Sequence, residues 1–432
     1  MPHATIQVFE HDTIRVGDRV TTPDGGEHAF TEAHHRALAA FADSNRDRYF
    51  SCGRRTVRFA SYVGLIQLGN LGIEILPKAD RNERGGHNRW HRALVHMLRI
   101  VGDLGLEAQD EARLRLQPGR LFDLFIARFL NECEALLREG LVKGYRTEEA
   151  NRPAFRGRLL VAKHVRQNAI NAARFYVASS TYDHDSLPNL AIHEALATLS
   201  TLPVSSTLRT RARALHHLFP DLPRWRARPE ALERLRLGRK TLRYSRALRL
   251  AALILFHLSP NIMQGHTPLL ALLFDMNVLW ERYVATLARR LRLPGITVHT
   301  QDSTPFWCSA RGTRTLRPDI TLRDEVTGDV RLVIDTKWKV PTAGQPSSAD
   351  LKQMFCYHEV FGCSRSMLLY PATARSHVAD QGRFTKGEHR CALAFLSLDG
   401  DPRVDLAEML LVHGMHTGNA IPLTIAAPHQ GL

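Results

Sequence analysis

Arg317-Pro318-Asp319 is followed, one predicted strand later, by Val333-Ile334-Asp335-Thr336-Lys337. Asp319 opens a strand after a turn; Asp335 and Lys337 lie two apart near the end of the next. On a strand, a spacing of two puts both side chains on one face. Antiparallel neighbours joined by a turn bring Asp319 beside that face. Two carboxylates and an ammonium group then converge. Carboxylate oxygens are hard ligands suited to Mg2+ or Mn2+. Phosphodiester hydrolysis uses such an ion to lower the pKa of water and to neutralise charge on the phosphate. A lysine beside it can position or help deprotonate the attacking water and stabilise developing charge. The plainer alternative is a surface ion pair on an edge strand. Against it, residues 332–334 are Leu-Val-Ile, a buried type of run, and a charged pair closing such a run calls for a reason.

A D-x-K spacing is short and common, so its neighbours matter. Asp350, Gln353 and Tyr357 recur at helical spacing in PSSADLKQMFCYHEVFG. Gln353 and Tyr357 are i, i+4 neighbours on one face. Alone they read as a helix surface; placed after the two aspartates and the lysine they extend the same site. Upstream, the apolar residues Leu272, Leu273, Met276, Leu279, Trp280, Tyr283 and Val284 define a buried helix face. Glu281 lies beside that face, either as a third carboxylate for the site or as a surface or capping residue.

The elements that must position these groups follow from periodicity. The first eighty residues are strand-rich, with a helix over FTEAHHRALAAFADSN. Helices are predicted from about Asn88 to Val101, over LFDLFIARFLNECEALLREG with Gly140 as a stop, over Asn189 to Thr201, and over Pro229 to Leu258. TPLLALLFDMNVLWERYVATLARRL reads as one long amphipathic helix. ITVHTQD, LRPDITLRD and VRLVIDTKWKV read as strands, the last two joined by a turn at Thr327-Gly328-Asp329. The helix of Gln353 and two more strands, SRSMLLYP and CALAFLSLDG, follow. This order is an α/β pattern with one central sheet. A length of 432 residues exceeds what one core usually serves. Three regions are expected: 1–165 as an α/β N-terminal part, 166–262 as a basic helical linker, and 263–432 as the domain carrying the site.

The net charge is +15 and is unevenly placed. Residues 201–250 carry thirteen Lys/Arg against Asp221, Glu230 and Glu233, a net +10, and twelve of the thirteen are arginine. A solvated helical face is one reading. The planar arginine fork suits phosphate and tilts the balance towards a nucleic-acid partner. No eighteen-residue apolar run or signal core is present, which implies no membrane span and a cytoplasmic protein. The six cysteines form no CxxC pair, against structural zinc. His87, His91 and His96 lack the glutamate of an HExxH motif and are expected as exposed helix histidines. Asp183-His184-Asp185 reads as a structural turn or cap. There is no GxxxxGK[ST] loop; the closest string, Gly238-Arg239-Lys240-Thr241, is placed in a basic helix. Any nucleotide-driven motor must therefore come in trans.

Pro318-Asp319, Asp335-Thr336-Lys337 and Gln353-x-x-x-Tyr357 resemble the PD-(D/E)xK nuclease superfamily in its RecB-like form. Further segments resemble one family within it, McrC, the nuclease subunit of McrBC-type modification-dependent restriction systems: YVGLIQLGNLGIEILPK (62–78), RGRLLVAKHVRQN (156–168), FYVASSTYDHDSLPNLAIHEAL (175–196), YSRALRLAALIL (244–255) and FDMNVLWERYV (274–284). The resemblance spans roughly residues 60 to 375. The chain departs from the family's frequent pairs at Asn189-Leu190 and Trp280-Glu281, away from the two aspartates. The resemblance implies a restriction-endonuclease-like domain with a central mixed sheet flanked by helices. It implies a DNA endonuclease in which Asp319, Asp335, the Thr336 carbonyl and, as a further ligand, Glu281 hold Mg2+ or Mn2+. Lys337, Gln353 and Tyr357 complete that site. The partner implied is a hexameric McrB-like AAA+ GTPase ring, docked and stimulated by the N-terminal part. Two other readings compete: a non-catalytic activator of a partner NTPase, and a stand-alone RecB-like repair nuclease.

Overall fold

The computed structural model describes residues 4–22, 25–44, 46–68, 71–80, 86–102, 121–170, 173–202, 205–257, 269–373 and 380–414. Leu258, where the helix predicted from Pro229 was to end, lies outside them, as does the boundary expected at 262/263.

Tyr62–Leu68 and Leu71–Leu76 form a hairpin, and Ala4–Phe9 adds to it in parallel. The fourth strand is Leu269–Asp275, antiparallel to Tyr62–Leu68. Sequence periodicity had folded this segment into the following helix. In fact the helix begins at Met276, capped by Asp275, whose carboxylate accepts the Asn277 and Val278 amides. A run such as LLALLFD suits a buried strand as well as a buried helix, and a partner strand two hundred residues upstream decides it. Gly64 makes that pairing possible: a Cβ there would lie 2.1 Å from the Leu272 carbonyl oxygen, and its φ is +135°, a region closed to other residues.

A second sheet, antiparallel throughout, joins Arg158–Leu159, Phe175–Asp183 and Gly144–Arg152. Asp183 O δ1 accepts the Asp185 amide, so Asp183-His184-Asp185 is the turn before the helix Leu187–Thr201. The predicted helix from Pro229 is broken. Pro229–Glu233 is one turn, Gly238–Thr241 is a turn rather than part of a basic helix, and the helix proper is Ser245–His257. Ser206–Leu218 is a further helix that periodicity had not singled out. Arg211, Arg243 and Arg246 pair with Glu134, Glu139 and Glu132 of the helix Leu121–Glu139. Part of the basic region is thus internal packing.

The C-terminal sheet has six strands in the order Ile296–Thr300, Ile320–Asp324, Val330–Thr336, Arg365–Pro371, Arg390–Leu396, Asp380–Arg383. The first three form an antiparallel meander; Val330–Thr336, Arg365–Pro371 and Arg390–Leu396 run parallel. The helix Ser348–Phe361 makes the crossover between two of the parallel strands. It starts in a capping box of Ser347 and Asp350 and ends at Gly362 in the left-handed region. Its Met354 and Tyr357 pack with Val333 and Leu368 on one face of the sheet. Ile334, Met367 and Leu369 face the opposite way, into a core shared with Trp280, Trp90 and Leu410. That core is continuous with the N-terminal part of the chain.

His91 corrects the expectation of exposed histidines. It is buried, and its Nδ1 lies 2.7 Å from Glu74 Oε1. Gln7 donates to the other Glu74 oxygen at 2.7 Å. The glutamate that the local sequence lacked arrives from the neighbouring sheet, and buried polar groups require such partners.

Candidate active site

The register sets the site. Ile320 faces Ile334 across the antiparallel pair, so one step further Asp319 stands opposite Asp335. One oxygen of Asp319 accepts the Thr336 amide at 2.7 Å and the Thr336 hydroxyl at 2.8 Å. Strand alternation turns Val333 and Asp335 towards the helix Ser348–Phe361. Asp335 is 2% exposed. Lys337 Nζ lies 2.6 Å from Asp335 Oδ2 and donates to Gln353 Oε1 at 3.1 Å. The Gln353 amide donates to Asp335 Oδ1 at 3.2 Å and to the Tyr357 hydroxyl at 2.8 Å. The Tyr357 hydroxyl donates to the Arg317 carbonyl at 3.1 Å. The structure therefore brings together Asp319, Asp335, Thr336, Lys337, Gln353 and Tyr357.

Glu281 stands at the margin. It is hydrogen-bonded by the Gln301 side chain, while the Gln301 amide donates to the Asp319 carbonyl at 3.2 Å. Burial, then the Asp319 charge, pushes the Glu281 carboxyl above the ordinary range. It is neither the helix cap, which is Asp275, nor a fully solvated residue.

The electrostatics are those of crowded acids. Burial and the Asp319 charge push Asp335 up to about 6, against the downward pull of Lys337. Tyr357 is raised by burial and by Asp335. Asp350, which sequence spacing placed with Gln353, is held below its ordinary value. Burial acts against this, but hydrogen bonds from Lys339 and Ser347 outweigh it. Its contact with Lys339 is 2.7 Å and with Lys337 4.0 Å.

A divalent cation suits this donor set. Asp335 Oδ2 is buried with the Lys337 ammonium 2.6 Å away, and an ionised carboxylate oxygen keeps a further lone pair with which to ligate a cation. Among the described residues no three His, Cys, Asp or Glu side chains close into a cage. Mg2+ is commonly held by one or two carboxylates with waters completing its shell.

Two features escaped the sequence reading. Trp338, next to Lys337, donates its indole N–H to Glu10 at 2.6 Å and packs between Trp90 and Trp280. Only its type, a tryptophan ending an Asp-x-Lys strand, was a signal. The second is the hairpin of Thr304–Ser309 and Gly312–Leu316, which runs into Arg317-Pro318-Asp319.

Fold and site together define a mixed α/β protein with two carboxylates and a lysine gathered where its central strands end. Residues 57–371 match the family described as the McrBC 5-methylcytosine restriction system component, and the chain belongs to that family. Among solved structures, a chain in the refined half-complex from the tetradecameric assembly of Thermococcus gammatolerans McrB AAA+ hexamers with bound McrC is similar. The TM-score is 0.62 at 19% identity, over 94% of this chain and 99% of that one. A chain of the cryo-EM structure of the Thermococcus gammatolerans McrBC complex also matches, with a TM-score of 0.44 at 19% identity, over 67% of this chain and 88% of that one. The first likeness establishes a common fold. No curated protein matches the sequence. Among the described residues no helix is long and apolar enough to cross a membrane.

Proposed function

We propose that this chain is the DNA-cutting subunit of a McrBC-like restriction complex, an Mg2+- or Mn2+-dependent endodeoxyribonuclease acting in the cytoplasm. The observation that carries the reading is the convergence of Asp319, Asp335 and Lys337, tied together by Gln353 and Tyr357. The cation would be held by Asp319 and Asp335, with the Thr336 carbonyl and Glu281 as further ligands. It would lower the pKa of a bound water and neutralise charge on the phosphate. The Lys337 ammonium, oriented by Asp335 and Gln353, positions the attacking water and stabilises charge that develops on the phosphate oxygens. Gln353 and Tyr357 hold Asp335 and Lys337 in place from the rigid crossover helix.

In the same reading, residues 1–165 dock on an AAA+ GTPase ring and stimulate its nucleotide hydrolysis, 166–262 link, and 263–432 cut. Its support is the family match together with the fold shared with a chain in a McrB AAA+ hexamer assembly. The test is cleavage of methylated and unmethylated plasmid in Mg2+, with and without a ring partner and GTP. Cutting only with both supports the restriction-subunit reading. Cutting by the chain alone favours a stand-alone nuclease; no cutting under any condition favours an activator. Asp335→Ala is expected to abolish cutting and to leave ring binding intact.

A further inference from the structure

The hairpin of Thr304–Ser309 and Gly312–Leu316 pairs only with itself and stands outside the six-stranded sheet. Two consecutive aromatics lie on it in the open: Phe306 is 51% and Trp307 53% exposed. A bulge between Pro305 and Trp307 breaks the alternation that would otherwise turn one of them inward. Trp307 is registered opposite Arg314, so the two side chains share a face. Residues 304–317 contain Arg311, Arg314 and Arg317 and no acid. Arg311 and Arg314 are exposed and form no ion pair among the described residues.

Position gives this surface its meaning. The hairpin packs on the helix that carries Gln353 and Tyr357, and Leu316 packs against the core beneath that helix. The Arg317 carbonyl at its base accepts the Tyr357 hydroxyl, and two residues on is Asp319. An arginine-rich, acid-free ribbon therefore rises from the lip of the candidate active site, with bare aromatic rings beside unpaired guanidinium groups. Guanidinium groups fit phosphate. Aromatic rings stack on bases or wedge against a base step from the minor groove.

We propose that the hairpin 304–317 is a duplex-DNA clamp: Arg311 and Arg314 grip backbone phosphates beside the scissile one, and Phe306 and Trp307 press against the base step next to them. This rests on the nuclease reading for its location, but it is tested without cleavage. The full chain is titrated onto a fluorescein-labelled duplex oligonucleotide in EDTA, over a series of salt concentrations. R311A/R314A is expected to weaken binding at least tenfold and to lower the slope of log Kd against log salt by about 2, one unit for each lost phosphate contact. F306A/W307A is expected to weaken binding roughly 5- to 100-fold with the slope unchanged, as lost stacking does. All four side chains are exposed, so circular dichroism should show folded variants. Wild-type affinity and slope in both variants overturn the clamp. Tighter binding of single-stranded than duplex oligonucleotide overturns the duplex assignment, and lost ring association with unchanged DNA binding reassigns the surface to the partner protein. If the wild type binds duplex through these residues yet never cuts, the clamp stands and the nuclease reading falls.

Discussion

Replacing Asp335 by Asn tests whether this carboxylate is held for chemistry or for stability. In the folded chain its pKa lies at about 6, raised by burial and by Asp319; unfolded, it returns to about 3.9. The sign follows from linkage. A carboxyl whose folded pKa is raised binds its proton more tightly in the native state. Below about pH 4 both states are protonated and nothing is lost. Between about pH 4 and 6 the unfolded chain ionises first, and native stability falls with rising pH. Two pH units correspond to roughly 3 kcal/mol. Asn cannot ionise, so the stability of Asp335→Asn relative to wild type should rise by roughly that amount between pH 4 and 7 and then stay level. Any loss of the 2.6 Å contact with Lys337 adds an offset that Lys337, 4.0 Å from Asp350, partly recovers. For a chain of 432 residues unfolding as one unit, roughly 3 kcal/mol is a Tm change of about 3 °C. The assay is Tm against pH for both proteins, repeated with Mg2+. The cation should raise the wild-type Tm at pH 7.5 and leave the variant unmoved. If the variant is less stable by the same margin at every pH, Asp335 is a structural ion-pair partner and the argument fails.

Two further outcomes follow from the geometry. Trp338→Phe removes the hydrogen bond to buried Glu10 and weakens the ring contacts with Trp90 and Trp280; it should cost about 1–3 kcal/mol and lower kcat, because Trp338 anchors the backbone that follows directly on Lys337. An unchanged kcat at saturating DNA would show that the anchor does not reach the site. Gly64→Ala forces a Cβ to 2.1 Å from the Leu272 carbonyl at a φ of +135°. It should destabilise by about 3 kcal/mol or more, and denaturation matching wild type would refute the close packing of those strands.

The candidate site was legible because its residues are close in sequence and its elements have fixed periods. A period of two put Asp335 and Lys337 on one face, an i, i+4 spacing joined Gln353 to Tyr357, and the turn at Thr327-Gly328-Asp329 brought Asp319 alongside. Elsewhere the pattern was ambiguous. Leu269–Asp275 carries no alternation to mark it as a strand. The helix predicted from Pro229 had the right apolar content but breaks before Gly238. The hairpin 304–317 has exposed apolar residues on a bulged strand, where a burial pattern has nothing to report.

Sequence alone determined which groups could do chemistry, that they lie on adjoining strands and a following helix, and that the chain carries a net charge of +15. These depend on local backbone geometry and composition. Only the tertiary structure decided the contacts between residues far apart in the chain: Glu10 against Trp338 across 328 positions, Glu74 against His91 from a neighbouring sheet, and the strand at 269–275 closing the sheet begun at residue 4. Periodicity fixes which face of an element is apolar, but not which other element covers it. That choice is made by the packing of all the faces at once.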